Sequence, residues 1–159
     1  MRIRDERPAD ITAIHAVVAA ACRPQEAALV DRLRERGELI ISLVAEDAGQ
    51  IVGHVAFSRL KSPPRALALA PASVSLPRQR NGIGSALIRR GLASAAALGF
   101  DMVFVLGWAG YYPRFGFSSD TAAPFPCRYA GPNFMALTLR DAVIEPSPVI
   151  YSEAFDSVD

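Results

Sequence analysis

A chain of 159 residues, 51% hydrophobic and 21% charged, is long enough to bury one core, short for two domains, and too apolar to be disordered. A net charge of +1 excludes a general electrostatic pull toward nucleic acid or an anionic membrane, and the arginines are dispersed except at 78–80 and 89–90. The expectation is a single domain over residues 1–159.

Residues 1–6 alternate Ile3 with charged neighbours, as a short first strand does, and contain acids where a signal peptide would be apolar. Pro8 and Asp10 suit a helix start, and Ile11, Ile14, His15, Val18 and Cys22 recur at helical spacing, with His15 read as packing. Pro24 starts a second helix with Ala28, Leu29, Val30 and Leu33 as its stripe and Gly37 as its stop. Strands follow over 39–46 and 51–60 around a turn at 47–50. Alternation assigns Val52, His54, Ala56 and Ser58 to one face and Ile51, Gly53, Val55 and Phe57 to the other. His54 reads as a sheet histidine satisfied by a neighbour, with a base near an acceptor amine as its second reading.

After a loop at 61–65, residues 66–76 are apolar enough for a central strand buried on both faces. Pro71 conflicts with that placement, because proline cannot donate to a ladder, and the conflict predicts a bulge. A helix over 82–98 places Ile83, Leu87, Ile88, Leu92 and Leu98 on one side, and 101–106 is a buried strand. A short helical segment at 111–115, a loop over 117–129, a strand at 133–140 and a final strand at 149–151 before a frayed acidic end complete the chain. No apolar run approaches the roughly 18 residues of a membrane span, so the expectation is a cytoplasmic protein without membrane contact. Cys22 and Cys127 are far apart, and with two histidines no metal-ligand spacing is present; free thiols and no metal are expected.

The informative stretch is 70–87, where an extended segment runs through Pro77 and a basic turn into a helix at Gly82 and Gly84. A helix N-terminus has unpaired N–H groups and a partial positive charge, so it attracts phosphate, and the two glycines leave its backbone uncovered. Arg78, Gln79 and Arg80 add donors. No lysine follows Gly84, which excludes a P-loop, and Leu87 stands where a dinucleotide fingerprint needs its third glycine.

The pattern Gln79-x-x-Gly82-x-Gly84 after Val74-Ser75-Leu76-Pro77 resembles the acyl-CoA motif of the GNAT superfamily of N-acetyltransferases, and Tyr112-Pro113-Arg114-Phe115-Gly116-Phe117 is similar to that family's Tyr-x-x-x-Gly-Phe segment. The resemblance implies an α/β fold with a central, mostly antiparallel sheet, one splayed parallel strand pair and helices on both faces. It also implies acetyl-CoA as co-substrate and a primary amine of a small molecule or peptide as acceptor, and it is compatible with a homodimer. The implied cofactor contacts are backbone groups of Val74 and Leu76 on the splayed strand and the cradle of Gln79, Arg80, Asn81, Gly82, Ile83, Gly84 and Ser85. Tyr112 is implied as the acid that protonates the leaving thiolate, with Tyr111 as packing. Glu26 is a candidate contact for a cationic acceptor, Arg114 for a phosphate or acidic substrate, and Trp108, Phe125 and Tyr129 for an aromatic acceptor pocket.

Two family features are missing. Relatives often carry a glutamate base on the strand before the cradle, and residues 65–76 hold no carboxylate; the asparagine often found seven residues before the motif tyrosine is Val105. An acyl-CoA-binding module without turnover is therefore the second functional reading.

Overall fold

Six strands lie side by side in chain order in the computed structural model, which describes residues 1–158: β1 (Arg2–Asp5), β2 (Leu39–Asp47), β3 (Gln50–Arg59), β4 (Ala66–Val74), β5 (Met102–Leu106) and β6 (Phe134–Thr138). Neighbours are antiparallel except β4 and β5, which run parallel because helix α3 (Ile83–Ala97) carries the chain back between them. Helices α1 (Ile11–Ala21) and α2 (Pro24–Glu35) form a hairpin near the N-terminus. Pro24 opens α2 at a position where its missing N–H is no loss.

The two faces of the sheet are covered by different helices. On one, Ile83, Leu87, Ile88 and Ala95 of α3 pack on Val55, Phe57, Leu67, Leu69 and Val103. The approach is close enough that Gly91 faces the ring of Phe57 directly: a Cβ there would stand 2.2 Å from a ring carbon. On the other face, Ile14 and Val18 of α1 and Val30 of α2 meet Val44 and Ala56, while Leu29 and Leu33 meet Ala66, Ala68, Met102 and Phe104.

The bulge expected at Pro71 is present. Val55 faces Ala72 but Phe57 faces Leu69, so Ala70 and Pro71 together oppose one residue of β3. On its other edge β4 pairs with β5 only from Ala66↔Met102 to Ala68↔Phe104. Both strands continue beyond that point without pairing to each other, and the sheet opens between them.

Several expectations need correction. β4 ends at Val74, and Leu76 belongs to a 3-10 turn, Leu76–Arg78, whose early position Pro77 favours by its fixed φ. A register shift between Ala45 and Glu46 turns Ile51 toward α1 and Val52 toward α3, inverting the alternation there. Leu98 is exposed, and Ala95 fills the helix face instead. His15 is exposed and pairs with Asp31 at 2.7 Å rather than packing. In α2 the buried alanine is Ala27, not Ala28. The loop over 117–129 contains a one-turn helix, α4 (Ser119–Ala122), capped by Ser118, and 149–151 contributes only a single bridge, Ser62↔Ile150. The C-terminal residues form a 3-10 turn, Glu153–Ser157, capped by Ser152.

Candidate active site

The opened edge of β4 presents backbone groups with no strand beside them. Ser75 N–H bonds to Val52 C=O at 2.9 Å, which makes Ser75 and Val52 a hydrogen-bonded pair. The alternation of an antiparallel ladder then turns the N–H and C=O of Val74, and of Ala72 two residues back, away from β3 and into the gap. The Gln79 side-chain amide donates to the Val74 carbonyl at 3.0 Å and ties the basic turn to the strand end.

Directly below the gap lies the start of α3. Gly82 is its N-cap at φ +79°, a left-handed conformation that favours glycine, and no side chain caps the helix. The first-turn N–H groups of Ile83, Gly84 and Ser85 thus point outward with the positive end of a four-turn helix dipole behind them. A Cβ on Gly84 would meet Val74 and the Tyr111 hydroxyl at 3.6 and 3.7 Å, so it would sit inside the cleft without disturbing its walls.

The cleft is a cavity of about 510 Å³. Of the residues named from the sequence, Val74, Gln79, Arg80, Gly82, Ile83, Gly84, Ser85 and Tyr112 all line it; Leu76 and Asn81 do not. Leu76 has an exposed side chain on the adjoining 3-10 turn. Arg80 adopts φ +66°, a strained backbone for a side chain of its size, and its guanidinium makes no ion pair among the described residues. Arg78 is held at the rim by Asp47 at 2.5 Å.

Both tyrosines of the second motif line the cleft. The hydroxyls of Tyr111 and Ser85 lie 2.9 Å apart, which joins Tyr111 to the first turn of α3, and Arg114 stacks over the Tyr111 ring. The sequence reading of Tyr111 as packing therefore missed a polar contact; its signal was a hydroxyl beside a motif rich in donors. Tyr112 packs edge-on against Phe117 and Tyr111, with its ring against Gly107, where a Cβ would come within 2.4 Å. Its hydroxyl has no hydrogen-bond partner among the described residues. Burial, helped by the neighbouring Tyr111 and Cys22, pushes its pKa up to about 12.

Across β4 a second cavity of about 190 Å³ is lined by Arg23, Glu26, Leu29, Leu69, Ala70, Leu106, Tyr129, Tyr151, Phe155 and Val158. Glu26 and Arg23 form an ion pair at its mouth, at 2.5 Å. Of the aromatics expected in an acceptor pocket, only Tyr129 is there: Trp108 is exposed, and Phe125 packs edge-on to Phe104 in the core. The two cavities meet β4 at Leu69–Ala70 and at Ala72–Val74, on either side of Pro71.

A sheet that opens at a parallel pair, above an uncapped glycine-rich helix start, defines a fold that grips an extended phosphate-bearing ligand. The family model of the GNAT acetyltransferases matches residues 10–117, and the chain belongs to that family. It is 36% identical over 136 residues to YhbS of Escherichia coli, described as an uncharacterized N-acetyltransferase, covering 82% of this chain and 81% of that protein. The crystal structure of E. coli YhbS in complex with CoA superposes with a TM-score of 0.89 at 33% identity, covering 98% of this chain and 91% of that one. A GNAT family acetyltransferase from Brucella melitensis in complex with acetyl-CoA gives a TM-score of 0.84 at 38% identity, covering 98% and 97%.

Proposed function

We propose that this chain transfers the acetyl group of acetyl-CoA to a primary amine of a small molecule or peptide by direct attack of the amine on the thioester. The observation that carries this is the meeting, in one cavity, of the unpaired edge of β4 with the uncapped start of α3. The pyrophosphate takes the N–H groups around Gly82, Ile83, Gly84 and Ser85, with Gln79, Arg80 and Asn81 beside them and Arg78 at the rim. The pantetheine amides extend along the gap as a strand would, bonding to Val74. The related complexes with CoA and acetyl-CoA support this reading.

Catalysis then needs orientation, charge stabilisation and two proton transfers. The Val74 N–H, aimed into the gap, suits the oxygen of the thioester as it gains charge. Tyr112 suits the leaving sulfur: it lines the cleft, its hydroxyl is unpartnered among the described residues, and it stays protonated throughout the neutral range. Tyr111 positions the cofactor through Ser85. The acceptor enters from the second cavity, where Glu26 offers a carboxylate to a cationic group and Tyr129, Tyr151 and Phe155 offer an apolar wall.

The test is release of free CoA thiol from acetyl-CoA with a panel of small amines and peptides. Transfer is expected for at least one amine carrying a second cationic centre. Tight acetyl-CoA binding with no release above hydrolysis across the panel would establish the non-catalytic binding module instead.

A further inference from the structure

The strand beside β4 carries a buried histidine under α1. His54 is fully buried on the α1 side of β3, yet its Nδ1 atom has no hydrogen-bond partner among the described residues. Its other ring nitrogen lies 2.8 Å from Ser42 Oγ. Ser42 in turn donates its hydroxyl hydrogen to Glu6, which Arg34 clasps through Nε and Nη2 on one edge of its guanidinium, at 2.8 and 2.9 Å. Burial alone would raise the Glu6 carboxyl, but the hydrogen bonds from Arg34 and Ser42 outweigh it and hold the group below its ordinary value, hence ionised.

This arrangement fixes the tautomer. A carboxylate can only accept, so the single Ser42 hydrogen goes to Glu6, and the Ser42 oxygen must take the Nε2–H of His54. Nδ1 is left with a lone pair and no proton. A buried, unsatisfied acceptor is costly by itself, so its presence asks for a use.

The residue facing His54 across the ladder is Ser73, which is also buried and whose side chain shares the α1 face. Ser73 Oγ lies 3.2 Å from the thiol of Cys22, at the exposed end of α1. Ser73 stands between Ala72 and Val74, both of which line the cleft, and from there a row of polar residues runs inward: Ser73, His54, Ser42, Glu6.

We propose that this row takes the proton of the acceptor amine, with Ser73 passing it to Nδ1 of His54 and with Ser42 and Glu6 positioning the ring and stabilising the imidazolium. The inference rests on the acetyltransferase reading above. The amine lone pair forms the N–C bond as the C–S bond breaks; the nitrogen gives its proton through the Ser73 hydroxyl and across one water to Nδ1, and the sulfur takes one from Tyr112. Both groups return to their starting states by exchange with solvent. Burial, partly offset by the charge of Glu6, pushes the His54 pKa down to about 4, so the ring is neutral and able to accept at physiological pH. A base this weak suffices because the nitrogen becomes a strong acid once its lone pair has bonded to carbon. The other charged or titratable groups packed around this face are Arg34, Asp31, His15 and Cys22, and Asp31 is engaged by both Arg34 and His15.

The experiment compares wild type, His54→Gln and Ser73→Ala in kcat against pH, with CoA release as the readout. Glutamine can still donate to Ser42 but cannot take a proton, and alanine breaks the link while leaving His54 in place. Wild type is expected to be level through the neutral range. Both variants are expected to lose about 100-fold or more in kcat with unchanged KM for acetyl-CoA, and their remaining rate is expected to rise about tenfold per pH unit as hydroxide takes over. A variant with near wild-type kcat and a level profile overturns the proposal, as does a loss that appears equally in acetyl-CoA KM. Should His54→Gln fail to fold, Ser73→Ala decides alone. The 15N resonances of the His54 ring give a readout without turnover: Nδ1 must be unprotonated at neutral pH, and a protonated Nδ1 sinks the relay. Absence of turnover in the wild type, by contrast, indicts the acetyltransferase reading.

Discussion

Replacing Tyr112 with phenylalanine separates the chemistry of this site from its packing. The ring contacts with Tyr111, Phe115, Phe117 and the backbone at Gly107 all survive the change, and the lost hydroxyl has no partner among the described residues, so the melting temperature should hardly move. What disappears is the proton donor for the leaving thiolate. Positioned general acids are worth about 10²–10⁴ in rate, which corresponds to about 3–5 kcal/mol of barrier. Because the hydroxyl holds its proton up to about pH 12, the loss should be uniform from pH 6 to 9, lowering the profile without reshaping it. Tyr111→Phe is the control: it breaks the contact with Ser85, worth about 0.5–1.5 kcal/mol, and should act mainly on KM for acetyl-CoA. The assay is steady-state CoA release at saturating amine. A Tyr112→Phe kcat within about threefold of wild type would remove Tyr112 from proton transfer, because a general acid contributes far more than that.

Other consequences follow from packing and charge. Gly91→Ala places a Cβ 2.2 Å from the fully buried Phe57 ring; overpacking of about 1–3 kcal/mol, offset by about 1 kcal/mol of helix propensity, should lower the melting temperature by a few degrees, and an unchanged value would show that α3 can slide on the sheet. Arg80→Gly relieves a left-handed backbone and should raise stability by about 1 kcal/mol while weakening acetyl-CoA binding; a variant that is both more stable and equally tight would dissociate the strain from function. His54 titrates near 6.5 when unfolded and near 4 when folded, so the folded state loses on the order of 3 kcal/mol as pH falls through that window, with the depressed Glu6 carboxyl adding further loss at lower pH. Acid unfolding of His54→Gln should lack the first part of that decline.

The cleft was legible in the sequence because its signals are local. Glycines at 82 and 84, donors at 78–80 and a proline inside an apolar strand each constrain the backbone where they stand, and the resemblance to a known family ordered them. Pro71 in particular foretold the bulge from its missing N–H alone. The proton relay was not legible, because Glu6, Ser42, His54 and Ser73 are widely spaced in the chain and meet only through the register of four elements. His54 looked like a satisfied sheet residue, since nothing local shows that one ring nitrogen is left unpaired. Leu98 and Ile51 were misplaced for a related reason: helix fraying and a register shift between Ala45 and Glu46 override a strict period.

The central claim is that acetyl-CoA lies across the start of α3 and along the open edge of β4. Titrating the isotope-labelled protein with acetyl-CoA and following backbone amide resonances tests it most directly. The largest shifts are expected at Val74 and at Gly82 to Ser85. Shifts confined to the second cavity around Tyr129 and Tyr151, or none at saturating ligand, would contradict the account.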